Sequence, residues 1–264
     1  MTATMTIRKT RRSRKHLMWT LLFLFLVPVI ARAGFYALGD APRSYRDADW
    51  SSSGRLQPAA SEPDARVLVF TGTTGGWKGV LSVHSWIVLK RANARDWTRY
   101  DVVGWGEPLR RNGWAPDGRW YGNPPVAIVD LRGTDAEKLI PKIEAAVNDY
   151  RYRHFGDYRI WPGPNSNSFV AAVLRTAPEL GVALPSNAVG RDFRDGFYAG
   201  PTDSRTGLEL NFWGYAGLKA GWVEGLEVNL LGLVAGLDLR HPALKLPGYG
   251  RIGFGPVVAT ALAR

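Results

Sequence analysis

Two short segments of the chain bring together side chains that can do chemistry. His84 lies in the apolar run of residues 83–89. Ser166 lies in the run Asn-Ser-Asn-Ser-Phe-Val of residues 165–170, at the start of a predicted helix. A histidine takes up a proton near neutral pH, and a serine hydroxyl becomes a nucleophile when a neighbouring base removes its proton. His84 and Ser166 are therefore a candidate base and a candidate nucleophile, and the question is whether the fold brings them together.

Several other kinds of site are excluded by composition and spacing. The chain has no cysteine, which rules out disulfides, thiolate nucleophiles, zinc ribbons and iron–sulfur clusters. Its histidines, at positions 16, 84, 154 and 241, lack a metal-binding spacing such as H-E-x-x-H. There is no G-x-S-x-G elbow either. We therefore expect no metal and no cofactor.

Two glycine clusters imitate phosphate-binding loops. In the first, residues 72–79, Trp77 stands where a P-loop has Gly, and Gly79 replaces the Ser or Thr that holds Mg²⁺. The second, Gly248-x-Gly250-x-x-Gly253, is followed by only eleven residues, none of them acidic, so the helix and carboxylate of a dinucleotide site are missing. Both clusters are interpreted as turns.

The elements that would position His84 and Ser166 follow from hydrophobic periodicity. Apolar runs predict strands near residues 67–70, 83–89, 99–105 and 126–131. Alternation in the second strand puts His84, Trp86 and Val88 on one face and Val83, Ser85, Ile87 and Leu89 on the other. His84 is thus expected in a strand of a sheet, on the same face as Trp86 and Val88.

Two helices and a second group of strands complete the predicted domain. Residues 134–137, Thr-Asp-Ala-Glu, have the spacing of a capping box, and the helix they open runs to about residue 150. A second helix begins near Ser166 and ends before Pro178, and residues 195–264 are predicted to form strands and turns. This order predicts an α+β fold with a mainly antiparallel sheet.

The positive charge of the chain is concentrated at its N-terminus. The net charge is +11, but residues 1–33 hold seven basic and no acidic residues, which leaves 27 basic against 23 acidic residues, or +4, for the rest. Such a balance is ordinary for a soluble domain, so we expect no nucleic-acid partner.

A basic stretch at residues 8–16 is followed by fifteen uncharged, mostly apolar residues, 17–31. Positive residues stay on the cytoplasmic side, so the chain beyond this segment is expected on the far side of a cytoplasmic membrane. The length and Ala31-Arg32-Ala33 favour a cleavable signal, whereas residues 34–38 extend the apolar character and favour a retained anchor. Both alternatives stay open.

The order of motifs resembles the circularly permuted branch of the papain-like hydrolases, relatives of the lecithin–retinol acyltransferases and bacterial cell-wall peptidases. The resemblance covers about residues 66–178: a strand with His-x-x-Ile-Val, a strand ending in Asp-Leu, a capped helix, a Tyr-Arg-Ile-x-Pro-Gly loop, and Asn-x-x-x-Phe-Val opening a helix. The chain is similar, more closely, to an uncharacterised bacterial domain-of-unknown-function family.

The resemblance implies a role for individual residues. The general base falls on His84, and the nucleophilic cysteine of the family falls on Ser166. A serine cannot form a stored thiolate–imidazolium pair, so it needs a well-oriented neutral His during attack. The orienting third residue is Asp101 or Glu107, and Asp101 is preferred because it sits on a defined strand face. Helix-start amides near residues 166–168 would hold an oxyanion.

Four further residues are expected to contact a ligand. Asn165 and Asn167 flank the serine, and Trp114 and Trp120 are expected to be exposed in a loop rich in Gly, Asn, Pro and Arg. Each has a structural alternative: the tryptophans can fill a core, and Ser166 itself can be the N-cap of its helix, which stabilises by about 1 kcal/mol.

The expected organisation has four parts: a signal or membrane anchor at 1–38, a linker at 39–65, a permuted papain-like domain at 66–194, and a Gly- and aromatic-rich β extension at 195–264. The function expected is an exported or inner-membrane-anchored protein facing the periplasm. It would bind, and hydrolyse or transfer, an amide- or ester-linked envelope component such as wall peptide or lipid. The alternative is a non-catalytic envelope interaction protein with a degenerate site.

Overall fold

The computed structural model describes residues 15, 16, 18–39, 42, 44–254 and 258–262. These residues form two antiparallel sheets, with few helices, which confirms the α+β class predicted from the order of elements.

The first sheet carries the histidine strand in its centre. Its strands are β1 Arg66–Thr73, β2 Val83–Lys90, β3 Thr98–Val102, β4 Leu109–Arg111 and β5 Val126–Arg132, in the order β4-β3-β2-β1-β5. Four of them were predicted, and β4, three residues long, was not because so short a run has no measurable periodicity. The long loop between β4 and β5 returns over one face of this sheet and supplies Trp114 and Trp120.

In the described part of the chain, four helices accompany the sheets, besides two 3₁₀ turns at Ala59–Ser61 and Pro178–Leu180. They are α1 Met18–Ala37, α2 Lys78–Leu81, α3 Gly133–Asn148 and α4 Ser166–Thr176. Helix α3 starts one residue before Thr134, with Arg132 as its N-cap and no side-chain cap, so the capping box predicted there is wrong. Helix α4 begins and ends where the sequence predicted.

Both faces of the first sheet are covered. One face packs against α3 and α4 through residues such as Ile87 and Phe169, and the other packs Trp86 against Phe70 and Trp120. The predicted alternation along β2 is therefore confirmed. Full burial of a side chain the size of Phe169 contributes roughly 1.5–3 kcal/mol, which fixes the start of α4 against β2.

The segment 39–65 was predicted as a linker, and part of it is packed against the domain. The buried carboxylate of Asp117 accepts hydrogen bonds from the Ser52 hydroxyl at 2.7 Å and from the backbone amides of Arg55 and Leu56 at 2.7 and 3.1 Å. Trp50 packs on the aromatic cluster around Trp120, with ring centroids 5.0 Å apart. This part of the chain therefore belongs to the folded domain.

The second sheet is a seven-stranded meander built from the C-terminal part of the chain. Its strands are β6 Phe197–Pro201, β7 Gly207–Phe212, β8 Ala216–Gly221, β9 Gly225–Leu230, β10 Leu233–Asp238, β11 Ala243–Leu246 and β12 Gly250–Gly253. Each strand pairs with the next in antiparallel fashion. The interpretation of this region as strands and turns is confirmed.

Helix α1 is long and apolar enough to cross a membrane, and it is the one such helix among the described residues. Only 6% of the residues in its most apolar stretch are buried inside the protein, so packing does not account for its apolar composition. A helix of this kind near an N-terminus fits either a signal sequence or a membrane anchor.

Candidate active site

The imidazole of His84 is held on two sides. Its Nε2 lies 2.9 Å from Oδ1 of Asp101 on the neighbouring strand β3, and its ring is stacked on Trp120 with centroids 3.6 Å apart and planes 5° from parallel. Its other nitrogen, Nδ1, has no hydrogen-bond partner among the described residues. The arrangement fixes the ring and leaves one nitrogen available for a ligand or a nucleophile.

Asp101 is in turn held by Arg99, two residues earlier on the same face of β3. The guanidinium donates to both carboxylate oxygens, at 2.7 and 2.8 Å, and to the carbonyl of Ala115 at 2.6 Å. It also lies 4.2 Å above the ring of Trp86. Sequence reasoning missed Arg99, although the spacing Arg-x-Asp along a strand places two opposite charges on one face. Glu107, the alternative to Asp101, is exposed.

Burial and charge set opposite tendencies in this trio. Burial lowers the pKa of His84 below its ordinary value, and the carboxylate of Asp101 opposes this only in part. Burial alone would raise the pKa of Asp101, but the charge of Arg99 and the hydrogen bond with His84 lower it. At neutral pH the result is a neutral imidazole beside an ionised carboxylate, which is the state a general base requires.

The imidazole of His84 should titrate below a pH of about 6.5, the value for an unfolded histidine. The unfolded chain then takes up a proton that the folded chain does not, so the contribution of His84 to stability is complete above that pH and falls as the pH drops through it. Proton NMR titration, with His84→Gln identifying the resonance, measures the midpoint. A midpoint above that of an exposed histidine would contradict the role of burial.

The start of α4 is organised by Asn165. Its Oδ1 accepts from the amides of Asn167 and Ser168, and the Ser168 hydroxyl accepts from the Asn165 amide, which completes a capping box. Ser166 is therefore the first helical residue and not the N-cap. Its hydroxyl makes no hydrogen bond to a described residue. The N-cap role that was the alternative for Ser166 is taken by Asn165.

The cap also decides which backbone amides remain available. The amides of Asn167 and Ser168 point to Asn165, and that of Phe169 donates to the Asn165 carbonyl. Within the described chain, the amide of Ser166 alone among residues 166–169 has no acceptor. Of the backbone amides expected at residues 166–168 as oxyanion donors, only that of Ser166 therefore remains available.

Asn167 joins the helix start to the histidine strand. Its Oδ1 accepts from the Ser85 hydroxyl at 2.7 Å, and its Nδ2 donates to the carbonyls of Val83 and Val189, both at 2.9 Å. Val83 and Ser85 are the two neighbours of His84 along β2. Asn167 follows Ser166 directly, so this side chain brings the helix start beside His84. Its polar atoms are occupied by the protein, as are those of Asn165.

Close packing around the cap requires a glycine at position 190. A Cβ there would lie 2.2 Å from Nδ2 of Asn165, and the backbone φ of +96° lies in the left-handed region that side chains rarely adopt. The Gly190 carbonyl accepts a 2.6 Å hydrogen bond from the Ser168 hydroxyl. The loop that contains Gly190 therefore packs against the helix cap and accepts a hydrogen bond from it.

His84 and Ser166 line one cavity of about 280 Å³. Aromatic and apolar side chains supply most of its wall, including Trp120, Tyr121 and Tyr158. Among the described residues, no hydrogen bond joins His84 to Ser166. Catalytic hydrogen bonds are often long in a free site and shorten when a substrate binds.

Tyr158 is a further polar group of the cavity that sequence reasoning missed. Burial raises the pKa of its phenol to about 12, so the hydroxyl stays protonated and can donate. It makes no hydrogen bond to a described residue, and its ring packs against Gly104, where a Cβ would lie 2.8 Å from it. A lone tyrosine in a loop carries no sequence pattern that separates it from the other nine tyrosines of the chain.

Trp114 and Trp120, both expected at the surface, differ in burial: Trp120 is buried and Trp114 is half-buried. Trp120 is only 3% exposed, so its expected exposure is wrong; its ring is buried between His84 and Trp50 while one edge reaches the cavity. Trp114 is half-buried, packs on Trp120 with centroids 5.2 Å apart, and is not part of the cavity wall. A Gly-rich loop folds inward here because its indoles complete the aromatic core.

No group of three or more His, Asp or Glu side chains that could hold a metal ion occurs in the described part of the chain. Residues 64–193 match a family model described as "Protein of unknown function (DUF3750)", and the match covers the first sheet and helices α2 to α4. A search of the curated proteins finds no match to the chain, and a search of the solved structures finds none either.

Proposed function

We propose that the chain is an exported or membrane-anchored envelope protein whose papain-like domain binds, and hydrolyses or transfers, an amide- or ester-linked envelope component. Ser166 is the nucleophile, His84 the general base and Asp101 the residue that orients the base. The domain faces the periplasmic side of the inner membrane, as the basic stretch before α1 favours.

One observation carries the proposal. A histidine fixed by a buried carboxylate and a serine with an unbonded hydroxyl, at the first position of a helix, line the same cavity. Each feature has a structural explanation alone, but the combination supplies base, orienting acid and nucleophile in the arrangement of an acyl-transfer site.

The reaction follows from these groups. Neutral His84 takes the proton of the Ser166 hydroxyl while its oxygen bonds to the acyl carbon of the substrate. The negative oxygen that develops accepts from the Ser166 amide and the Tyr158 hydroxyl. Collapse breaks the bond to the leaving amine or alcohol, which takes the proton from His84. Water, or an acceptor alcohol or amine, then repeats the steps in reverse order and frees Ser166.

The cavity walls favour a substrate with an acyl chain or another apolar part near the scissile bond. Leu81, Trp105 and Leu233 line the cavity with the aromatic residues already named. The cavity also lies beside the C-terminal end of α1. The ring of Tyr36 is so close to Gly79 that a Cβ there would lie 2.8 Å from it. A site at this end of a membrane helix meets lipid and lipid-linked molecules first.

The experiment is labelling of the detergent-solubilised chain with a fluorophosphonate, which reacts with activated serines. We expect one adduct, mapped to Ser166 by peptide mass spectrometry and absent from Ser166→Ala. The matched control is Ser82→Ala, which removes another hydroxyl of the same cavity and should keep full labelling. Because no thiol is present, any adduct reports a hydroxyl.

A wild-type chain that stays unlabelled, with its fold intact, would favour the non-catalytic interaction protein. In that case the cavity binds its ligand without cleaving it. An adduct that forms equally in Ser166→Ala would place the nucleophile elsewhere and refute the assignment.

A further inference from the structure

The seven-stranded sheet is inverted relative to the sheet of a water-soluble domain. Antiparallel sheets normally bury an apolar face and expose a polar one. Here the outward positions of paired strands carry apolar side chains, and in the described strands none of them is charged. Examples on successive strands are Leu210, Leu218, Val228, Leu237, Leu244 and Ile252, each between 39% and 52% exposed.

The inward face carries the charges. Lys219 pairs with Asp192 at 2.6 Å, Lys245 pairs with Glu227 at 2.6 Å, and Arg191 is hydrogen-bonded to Glu227. All five are buried. Buried charges of this number are tolerated because each has a partner of opposite sign. The alternation is therefore systematic along the sheet. Polar groups are paired on the inner face and apolar groups lie on the outer face, as in membrane β-proteins.

The exposed apolar face continues onto helix α1. Leu24 and Val27 of the helix and Leu218 and Leu237 of the sheet line one groove of about 1400 Å³. Arg32 of the helix lies over the ring of Tyr249, 5.8 Å from its centroid, which holds the helix along this edge. The side of the helix away from the groove is itself apolar, and Ile30 is 60% exposed there. Helix and sheet thus form one apolar surface, far larger than soluble proteins normally expose.

The dimensions of the sheet decide how such a surface meets a membrane. Its strands have four to six residues, whereas a strand needs about 9–11 residues to cross the hydrocarbon layer. The sheet is open, so the outer strands β6 and β12 have backbone groups that cannot enter hydrocarbon unpaired. The sheet is therefore suited to place its outward side chains among the upper acyl carbons beside α1, and not to cross the bilayer.

We infer that the outward face of the second sheet, residues 197–253, docks onto the acyl chains of the membrane that α1 enters, and that lipid fills the groove between helix and sheet. Aromatic side chains at the turns fit this placement: Trp213 and Trp222 follow strand ends and are about half exposed, as interfacial tryptophans are. This inference rests on the membrane location in the proposed function but not on catalysis by Ser166.

The test uses the absence of native cysteine. Leu218→Cys and Lys138→Cys are made in the full chain, labelled with an environment-sensitive fluorophore, and reconstituted in vesicles of phosphatidylethanolamine and phosphatidylglycerol with nitroxide-bearing acyl chains. Lys138 is the matched control because it is exposed on α3, which covers the other sheet. We expect severalfold quenching at position 218 and none at position 138.

A second measurement removes the helix as the cause of membrane binding. A protease site placed in residues 39–43 is cut after reconstitution, and flotation shows whether the domain stays on the vesicles. The pair Leu218→Asp and Val228→Asp should weaken this retention at least about tenfold, because each loses the transfer energy of a buried aliphatic side chain. Both positions are partly exposed, so the variants should fold, which circular dichroism checks.

The outcomes separate the alternatives. A label at position 218 that is shielded from aqueous iodide yet unquenched by nitroxide lipid means that protein, such as a second copy, covers the face, and the inference is overturned. A label open to iodide overturns it as well. Fluorophosphonate labelling of the same samples reports the active site separately, so quenching without an adduct would refute only the catalytic proposal.

Discussion

Asp101→Asn should destabilise the folded chain by about 3–5 kcal/mol, the cost of removing one partner from a buried ion pair. The change keeps the shape of the side chain but removes its charge, so the guanidinium of Arg99, 1% exposed, loses its counter-ion. It also replaces the charged acceptor that orients His84 with a neutral amide, which can present its NH₂ group to the imidazole instead. Equilibrium unfolding by urea in detergent measures the loss, and fluorophosphonate labelling should disappear at the same time.

The matched control is Asp130→Asn. Asp130 also holds an arginine through two oxygens, Arg66 at 2.8 and 2.9 Å, but its side chain is 23% exposed. Water compensates for the lost charge there, so a loss of about 1 kcal/mol is expected. Adding Arg99→Met to Asp101→Asn should recover part of the stability, because it removes the uncompensated charge. Equal losses in the two single variants would contradict this account of the site.

Ser166→Cys should create a thiol that iodoacetamide alkylates at least about tenfold faster at mildly acidic pH than an ordinary cysteine of pKa about 8.5. The first position of a helix stabilises a thiolate, and His84 can take its proton. The variant's cysteine is the chain's only thiol, so the rate can be read from whole-protein mass. The gain of a reactive group is a stronger test than a loss, since misfolding does not produce it.

Ser82→Cys is the control, because it puts a thiol on the wall of the same cavity at the C-terminal end of α2, where no helix N-terminus stabilises a thiolate. Adding His84→Gln to Ser166→Cys should remove most of the rate advantage. If the two cysteine variants react at the same rate, His84 and the helix start do not activate position 166, and the proposed mechanism fails.

The arrangement of the first sheet could be predicted because its signals are local. Alternation along residues 83–89 identified both faces of β2, and the short polar run at residues 165–168 identified the start of α4. The preference for Asp101 over Glu107 came from its position on a strand, and the structure puts Asp101 in contact with His84.

Other parts of the site depend on long-range packing that no local pattern carries. Trp120 and Tyr158 reach the cavity from two separate loops. The Thr134 capping box failed because the helix starts one residue early, at a left-handed Gly133, so its side chains are out of register. Asn167 seemed free to bind a ligand, but two of its partners lie more than eighty residues earlier, on β2.

The second sheet shows a different limit. Alternation in runs such as Leu208-Glu-Leu-Asn-Phe212 predicts a strand, but it reads the same whether the leucines or the charges face inward. Only the pairing of Glu209 with Arg194 and of Lys219 with Asp192 shows which face is buried. The orientation is decided by tertiary partners, so the inverted sheet could not be recognised from periodicity alone.

The attachment of residues 44–57 to Asp117 limits how far the cavity that holds His84 and Ser166 can lie from the end of α1. Packing resumes at Tyr45, whose ring lies 4.5 Å from that of Trp50, so seven residues separate it from the end of α1 at Ala37. Fully stretched, such a tether spans about 25 Å. With α1 retained as an anchor, the proposed enzyme would work only on molecules presented at its own bilayer, and polymer strands lying farther out would stay beyond its reach.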